Sequence, residues 1–227
     1  MKLILISAKP EEIRTCYRLG VFEGVASNPT LVAEAGLPSQ TLVAQLLDIV
    51  PHPVFIQVSG LTAEAMIREG RSLAALDPRR VVVKIPVTAG GIEAIHTLAA
   101  EGIRITATAI CAANEALLAA RAGASFLAPY MARIYDVGGD GAQVVEDIVE
   151  LVDLHDLPSE VIAASVRTPE ELMLAWKVGS HFAAIQPSVV SKICSNPAVD
   201  AAAVKFHEDY AEAFDRDEST REEGRSG

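Results

Sequence analysis

Eight short runs of apolar and β-branched residues recur along this chain, separated by longer segments of helical period. No other feature narrows the possible folds as much. The runs are Leu3 to Ser7, Val21 to Ala26, Val54 to Val58, Val81 to Ile85, Arg104 to Ile110, Ser125 to Pro129, Val161 to Ser165 and Phe182 to Gln186. Between them, Ser39 to Val50, Thr62 to Leu76, Gly90 to Ala100, Ala112 to Ala122, Ala142 to Leu154 and Pro169 to Val178 are each long enough for a helix. Strands that are apolar almost throughout are covered on both faces, and regular βα alternation gives a parallel sheet. Eight repeats point to a single α/β domain folded as a (β/α)8 TIM barrel, with a doubly wound open sheet as the alternative. Half of the 227 residues are hydrophobic, which suffices for one large core, and no linker divides the chain.

Local punctuation agrees. Thr168-Pro169-Glu170-Glu171 offers an N-cap, a proline at the first helical position and acids in the first turn. Gly123 and Gly179 stand where helices end. Ala198 to Phe214 reads as an extra amphipathic helix after the last strand, closing a domain of residues 1–214. Residues 215–227 are too polar to bury anything and read as a disordered tail.

The net charge of −11 weighs against a nucleic-acid surface, while leaving room for a local arginine cluster. No run approaches the ~18 apolar residues of a membrane span, and the amino terminus lacks the pattern of a secretory signal. Cys16, Cys111 and Cys194 form no CxxC pair, which suits a reducing compartment, so the cytoplasm is the expected location. The five histidines, His52, His96, His155, His181 and His207, have no ligand spacing, and no metal is expected.

Lys84 stands out inside Val81-Val82-Val83-Lys84-Ile85, a run that reads as a strand buried on both faces. Burial disfavours the ammonium form and lowers the pKa of a lysine toward the range where its neutral amine attacks carbonyls. The competing reading is that Lys84, near the end of its run, snorkels into water. In a barrel, polar residues at the carboxyl ends of strands carry the functional signal. Here they are Asn28, Gln57, Lys84, Thr106, Thr108, Tyr130, Arg133, Ser165, Arg167 and Gln186. Each has a plainer role. Asn28 before Pro29 is a ready helix cap, Thr108 is a good strand former, and Arg133 suits a solvated helix face. Gln57 between Ile56 and Val58 needs partners if it points inward. Ser165 and Arg167 follow the seventh strand, where barrels often hold phosphate.

Four ordered stretches resemble the transaldolase family, and within it the short-chain branch that includes fructose-6-phosphate aldolase. They are Ser27-Asn28-Pro29-Thr30, Val83-Lys84-Ile85-Pro86-Val87-Thr88, Ala128-Pro129-Tyr130-Met131-Ala132-Arg133-Ile134 and Ala163-Ala164-Ser165-Val166-Arg167-Thr168. Pro197-Ala198-Val199-Asp200 is also similar to that branch, and the likeness runs from Met1 to about Phe214. The resemblance implies a class I aldolase or transaldolase acting on sugar phosphates without a metal or cofactor. It implies that Lys84 forms a Schiff base, and that Gln57, Thr108 and Tyr130 hold the water of proton transfer. Arg133, Ser165 and Arg167 match phosphate positions, and Asn28 matches one that bonds donor hydroxyls. Transaldolases proper usually carry glutamate and phenylalanine where this chain has Gln57 and Tyr130, so both lean toward the aldolase. In that branch the last helix packs on a neighbouring subunit, implying a homo-oligomer, a pentamer or decamer.

Two positions depart from the pattern. Ile6 stands where the family carries an aspartate at the end of strand 1, and Ala26 where threonine is common. Glu11 and Glu12 belong to the following helix and would have to reach back over a turn. Three readings follow: another substrate whose hydroxyl is managed by Ser7, by water or by a different group; a slow member of the class; or a sugar-phosphate-binding barrel without catalysis.

Overall fold

In the computed structural model the backbone is described for residues 1–223 and side chains for residues 1–214. Eight parallel strands close into a barrel in chain order. They are β1 (Lys2–Ile6), β2 (Phe22–Ala26), β3 (Val54–Gln57), β4 (Val81–Pro86), β5 (Ile105–Ile110), β6 (Phe126–Pro129), β7 (Glu160–Val166) and β8 (Phe182–Ile185). Pairing of Leu3 with Ala183 and Leu5 with Ile185 joins first strand to last, which excludes the open sheet. The connecting helices are α1 (Pro10–Tyr17), α2 (Pro29–Ala35), α3 (Ser39–Ile49), α4 (Ala63–Ala74), α5 (Ala89–Ala100), α6 (Ala113–Arg121), α7 (Met131–Asp136), α8 (Gly141–Leu154) and α9 (Pro169–Lys177). After β8 come α10 (Pro187–Cys194) and the extra helix α11 (Pro197–Glu223).

The chain divides into two compact units, residues 1–190 and residues 191–227. In the second unit, α11 is helical beyond Phe214, where the sequence reading begins its polar tail. Residues 224–227 of that tail lie outside the described residues.

The barrel unit has two apolar layers. The larger fills the space between sheet and helices; Val83, Ile85, Ile95, Leu98, Ile105 and Ala107 belong to it. The smaller lies inside the barrel and grades in size along the strands. Phe55, Val82, Phe126 and Phe182 form its lower part, with Phe126 edge-on to Phe55 at 5.4 Å and to Phe182 at 5.9 Å between ring centroids. One step further toward the carboxyl ends, the inward positions are Ala26, Ala128, Ala164 and Ala184. Rings therefore plug the bottom, and methyl groups leave room above them.

Two strands bend at their carboxyl ends. Ala109 and Ser165 both have φ of 61°, in the left-handed region that non-glycine residues seldom occupy. Each lies where the ladder slips, between Thr108 and Ile110 in β5 and between Ala163 and Val166 in β7. A bulge of this kind re-aims side chains, and it lets both Ala164 and Ser165 line the same cavity despite being adjacent in sequence.

The turn after β4 is tightest at Gly91, in the first turn of α5. A Cβ there would lie 1.9 Å from the Pro86 carbonyl oxygen, whereas one at Gly36, with φ of 67°, would touch nothing within 4 Å. We expect Gly91→Ala to destabilise the barrel by roughly 3 kcal/mol or more, and Gly36→Ala by about 1 kcal/mol from backbone strain alone. Urea unfolding of the two variants measures the difference.

Candidate active site

A cavity of about 250 Å³ opens at the carboxyl ends of the strands, above the alanine layer. Six of the eight candidate residues line it: Asn28, Lys84, Tyr130, Arg133, Ser165 and Arg167. Gln57 and Thr108 are not on its wall. Thr108 is fully buried and donates a hydrogen bond from Oγ1 to the Tyr130 hydroxyl at 3.4 Å. Gln57 pairs in register with Lys84, and its Oε1 is buried without a hydrogen-bond partner among the described residues.

Lys84 points inward because β4 alternates Val82 and Lys84 toward the barrel axis and Val83 and Ile85 toward the helices. Its Nζ donates to the Ser27 carbonyl oxygen at 3.3 Å. No carboxylate pairs with it among the described residues, and no aspartate or glutamate lines the cavity. The residue is partly buried and lines the cavity. Desolvation lowers its pKa from 10.5 to about 8. About one molecule in ten then carries the neutral amine at pH 7, against one in a few thousand for an ordinary lysine. The snorkelling alternative is therefore not what the fold does.

At the rim the charges are arranged unequally. Arg167 holds Asp136 through a two-pronged ion pair, Nη1 to Oδ1 at 2.9 Å and Nη2 to Oδ2 at 2.8 Å, which pulls the aspartate pKa down. Arg133 has no ion pair among the described residues; its guanidinium lies 4.7 Å over the Tyr130 ring. Asn28 caps α2 by accepting from the Leu31 amide at 3.0 Å, so only its Nδ2 remains to donate. The helix-cap role and the cavity role coexist.

Ile6 lines the cavity where a carboxylate was expected from the resemblance. Glu12, however, does reach back over the turn. Its Oε2 accepts from Ser7 Oγ at 2.9 Å, and Ser7 Oγ accepts from the Lys9 amide. These groups line a second cavity that shares Ile6 and Gln186 with the first. Sequence reasoning did not foresee that arrangement, because a five-residue reach across a turn carries no periodic signal. It noted Thr106 at a strand end but assigned it no role; the residue is 1% exposed, lines the Lys84 cavity and has no hydrogen-bond partner for Oγ1 among the described residues. The visible signal was period 2 in Ile105-Thr106-Ala107-Thr108, two hydroxyls on one face.

A closed parallel barrel with a desolvated lysine in the cavity at its carboxyl end is the architecture of amine-dependent carbonyl chemistry. Comparison with known proteins agrees. The family model for transaldolase/fructose-6-phosphate aldolase matches residues 5–227. A probable transaldolase of Clostridium perfringens (strain 13) is 40% identical over 95% of this chain and 100% of its own length. Similar proteins named probable transaldolase come from Brevibacillus brevis, 42% identical over 93% of this chain and 98% of that protein, and from Thermoanaerobacter sp., 40% identical over 94% and 98%. The chain belongs to the transaldolase/fructose-6-phosphate aldolase family. It is a (β/α)8 enzyme of the aldolase and transaldolase type.

The lowered lysine pKa has a thermodynamic counterpart. Between about pH 8 and 10.5 the unfolded chain binds the Lys84 proton and the folded barrel does not, so this group makes stability rise with pH across that window. Below pH 8 the folded state carries the full penalty of a buried charge. Lys84→Met removes it, and we expect the variant to be more stable than the parent at pH 7 by up to about 3 kcal/mol. The gap should close above pH 10.5. Denaturant unfolding at pH 7 and at higher pH tests both the sign and the window.

Proposed function

We propose that this protein is a class I aldolase in which Lys84 forms a Schiff base with a ketone donor of the dihydroxyacetone type. It makes or cleaves a carbon–carbon bond of a ketose phosphate such as fructose 6-phosphate. One observation carries this reading: the Lys84 amine is dry, faces a cavity and has no counter-charge among the described residues.

The neutral amine adds to the donor carbonyl, forming the N–C bond, and the carbonyl oxygen leaves as water to give a protonated imine. In the cleavage direction the bond between the carbons α and β to the imine breaks. Its electron pair flows into the imine to give an enamine, while the β-hydroxyl loses its proton and becomes an aldehyde. The protonated imine is itself the electron sink, so this chemistry requires no metal or cofactor. The enamine then takes a proton at carbon, and water returns the lysine. In our reading Gln57, Thr108 and Tyr130 hold the water that moves these protons. Because the Tyr130 oxygen accepts from Thr108, its own proton is free to point elsewhere. Arg133, Ser165 and Arg167 take the phosphate, and Asn28 donates from Nδ2 to a donor hydroxyl. Arg133 is the stronger electrostatic partner, since Asp136 already answers Arg167.

Gln57 and Tyr130 favour release of free ketone over transfer to a second aldehyde. The alternative is transfer of a dihydroxyacetone unit between sugar phosphates; the relatives carry the name probable transaldolase, and kinetic partition of the enamine separates the two readings. The setting we propose is a cytoplasmic homo-oligomer, a pentamer or decamer. Three cysteines without a disulfide are in keeping with that compartment. On α11, the Tyr210 and Phe214 rings lie 4.7 Å apart and supply an aromatic face of the kind oligomer interfaces use. Light scattering that gives a monomer mass would refute the oligomer. Among the described residues no helix is long and apolar enough to cross a membrane.

Ile6 has two opposite effects on this chemistry. It supplies no atom to take the β-hydroxyl proton, which typically slows such a step by about 10² to 10⁴. It also keeps a carboxylate away from Lys84, and a carboxylate there would favour the ammonium form. We expect borohydride to trap a ketone adduct on the parent protein and none on Lys84→Met, as read by intact mass. Absence of an adduct on the parent would favour a non-catalytic sugar-phosphate binder. Ile6→Asp should raise both the cleavage rate and the pH at which trapping begins. Unchanged or slower cleavage in that variant would show that the pocket serves a different substrate.

A further inference from the structure

Gln186 stands at the end of β8, across the barrel from Lys84. Strands β4 and β8 are four apart in a closed ring of eight, so they occupy opposite walls. The inward face of β8 runs Phe182, Ala184, Gln186: the first two belong to the inner apolar layer, and the third lines the cavity. One step beyond the pair Leu5 and Ile185, Gln186 comes beside Ile6, and both residues line both cavities. The backbone there is held, because the Gln186 carbonyl oxygen accepts from the Val189 amide at 3.0 Å in the first turn of α10. The side-chain amide is exposed and has no hydrogen-bond partner among the described residues.

A ketose phosphate held as an imine on Lys84, with its phosphate at Arg133, Ser165 and Arg167, crosses the cavity from β4 toward β6 and β7. Its middle carbons then face the remaining wall, which β8 and β1 supply. On that wall the side chains of Ile6 and Ala184 offer only carbon, whereas Gln186 offers an N–H donor and a carbonyl oxygen. The oxygen on the β-carbon changes most during cleavage, passing from hydroxyl to aldehyde with alkoxide character between. An amide is far too weak a base to keep the proton, but an N–H directed at a developing oxyanion stabilises it. We propose that Gln186 is a specificity residue that receives this oxygen: Nε2 donates to it as the carbon–carbon bond breaks, and the contact selects the configuration of the β-carbon. The hydroxyl proton passes to water, the oxygen electron pair closes the C=O bond, and the pair of the broken bond enters the imine. This inference rests on the Schiff-base reading of Lys84.

The probes are dihydroxyacetone, trapped by borohydride, and two ketose phosphates epimeric at the β-carbon, fructose 6-phosphate and tagatose 6-phosphate, followed by release of the aldehyde. We expect the parent to favour one epimer in kcat/KM. In Gln186→Leu, which keeps the bulk, and in Gln186→Ala, which removes it, that preference should fall about tenfold or more, the worth of one hydrogen bond. Trapping of dihydroxyacetone should stay as in the parent, because the donor alone has no β-oxygen. An unchanged preference in either variant overturns the inference while leaving Lys84 as the nucleophile. So does a parent that traps dihydroxyacetone but cleaves the two epimers alike or not at all. Equal loss of trapping and cleavage overturns it too, since that is a structural effect. If the parent traps no dihydroxyacetone, the Schiff-base reading falls and this inference falls with it.

Discussion

Desolvation of one amine is the constraint on which the rest of this structure depends. A closed barrel is a good device for it: the strands satisfy one another's backbone groups, so side chains alone decide what the interior contains. Here they are phenylalanines below and alanines above, with Lys84 on the wall between β3 and β5. Among the described residues, the amine's hydrogen-bond partner is the Ser27 carbonyl. A dipole of that strength orients the nitrogen without holding its proton as a carboxylate would, and desolvation by burial lowers the pKa to about 8.

Ile6 belongs to the same electrostatic design. A carboxylate at the end of β1 would serve proton transfer and at the same time suppress the nucleophile. This chain has the dry amine, and Glu12 is bonded to Ser7 in the adjoining cavity. The two cavities share Ile6 and Gln186, so the separation is a single layer of side chains.

Much of this was legible in the sequence because it is periodic. The strands appear as apolar runs and Lys84 as an interruption of one of them, and a charge in such a run constrains its surroundings strongly. The residues of the rim were legible in identity but not in state. That Arg167 is held by Asp136 depends on β7 and α7 meeting across 31 residues of chain. That Thr106 is buried without a partner depends on which face of β5 turns inward, and a threonine in a strand reads equally well either way. The reach of Glu12 to Ser7 depends on the turn between β1 and α1, where local pattern is weakest. The polar run after Phe214 read as an end to regular structure, whereas α11 is helical through Glu223. Charged residues are compatible with both states.

The left-handed backbone at Ser165 limits what evolution can place there. Glycine would relax the strain but would remove the hydroxyl from the cavity wall and loosen the bulge. Any other side chain would inherit the strain, and only a few would return a hydroxyl. Threonine, branched at Cβ, tolerates that conformation least. Serine is thus the cheapest occupant that leaves an oxygen at the mouth, and drift at this position has almost nowhere to go.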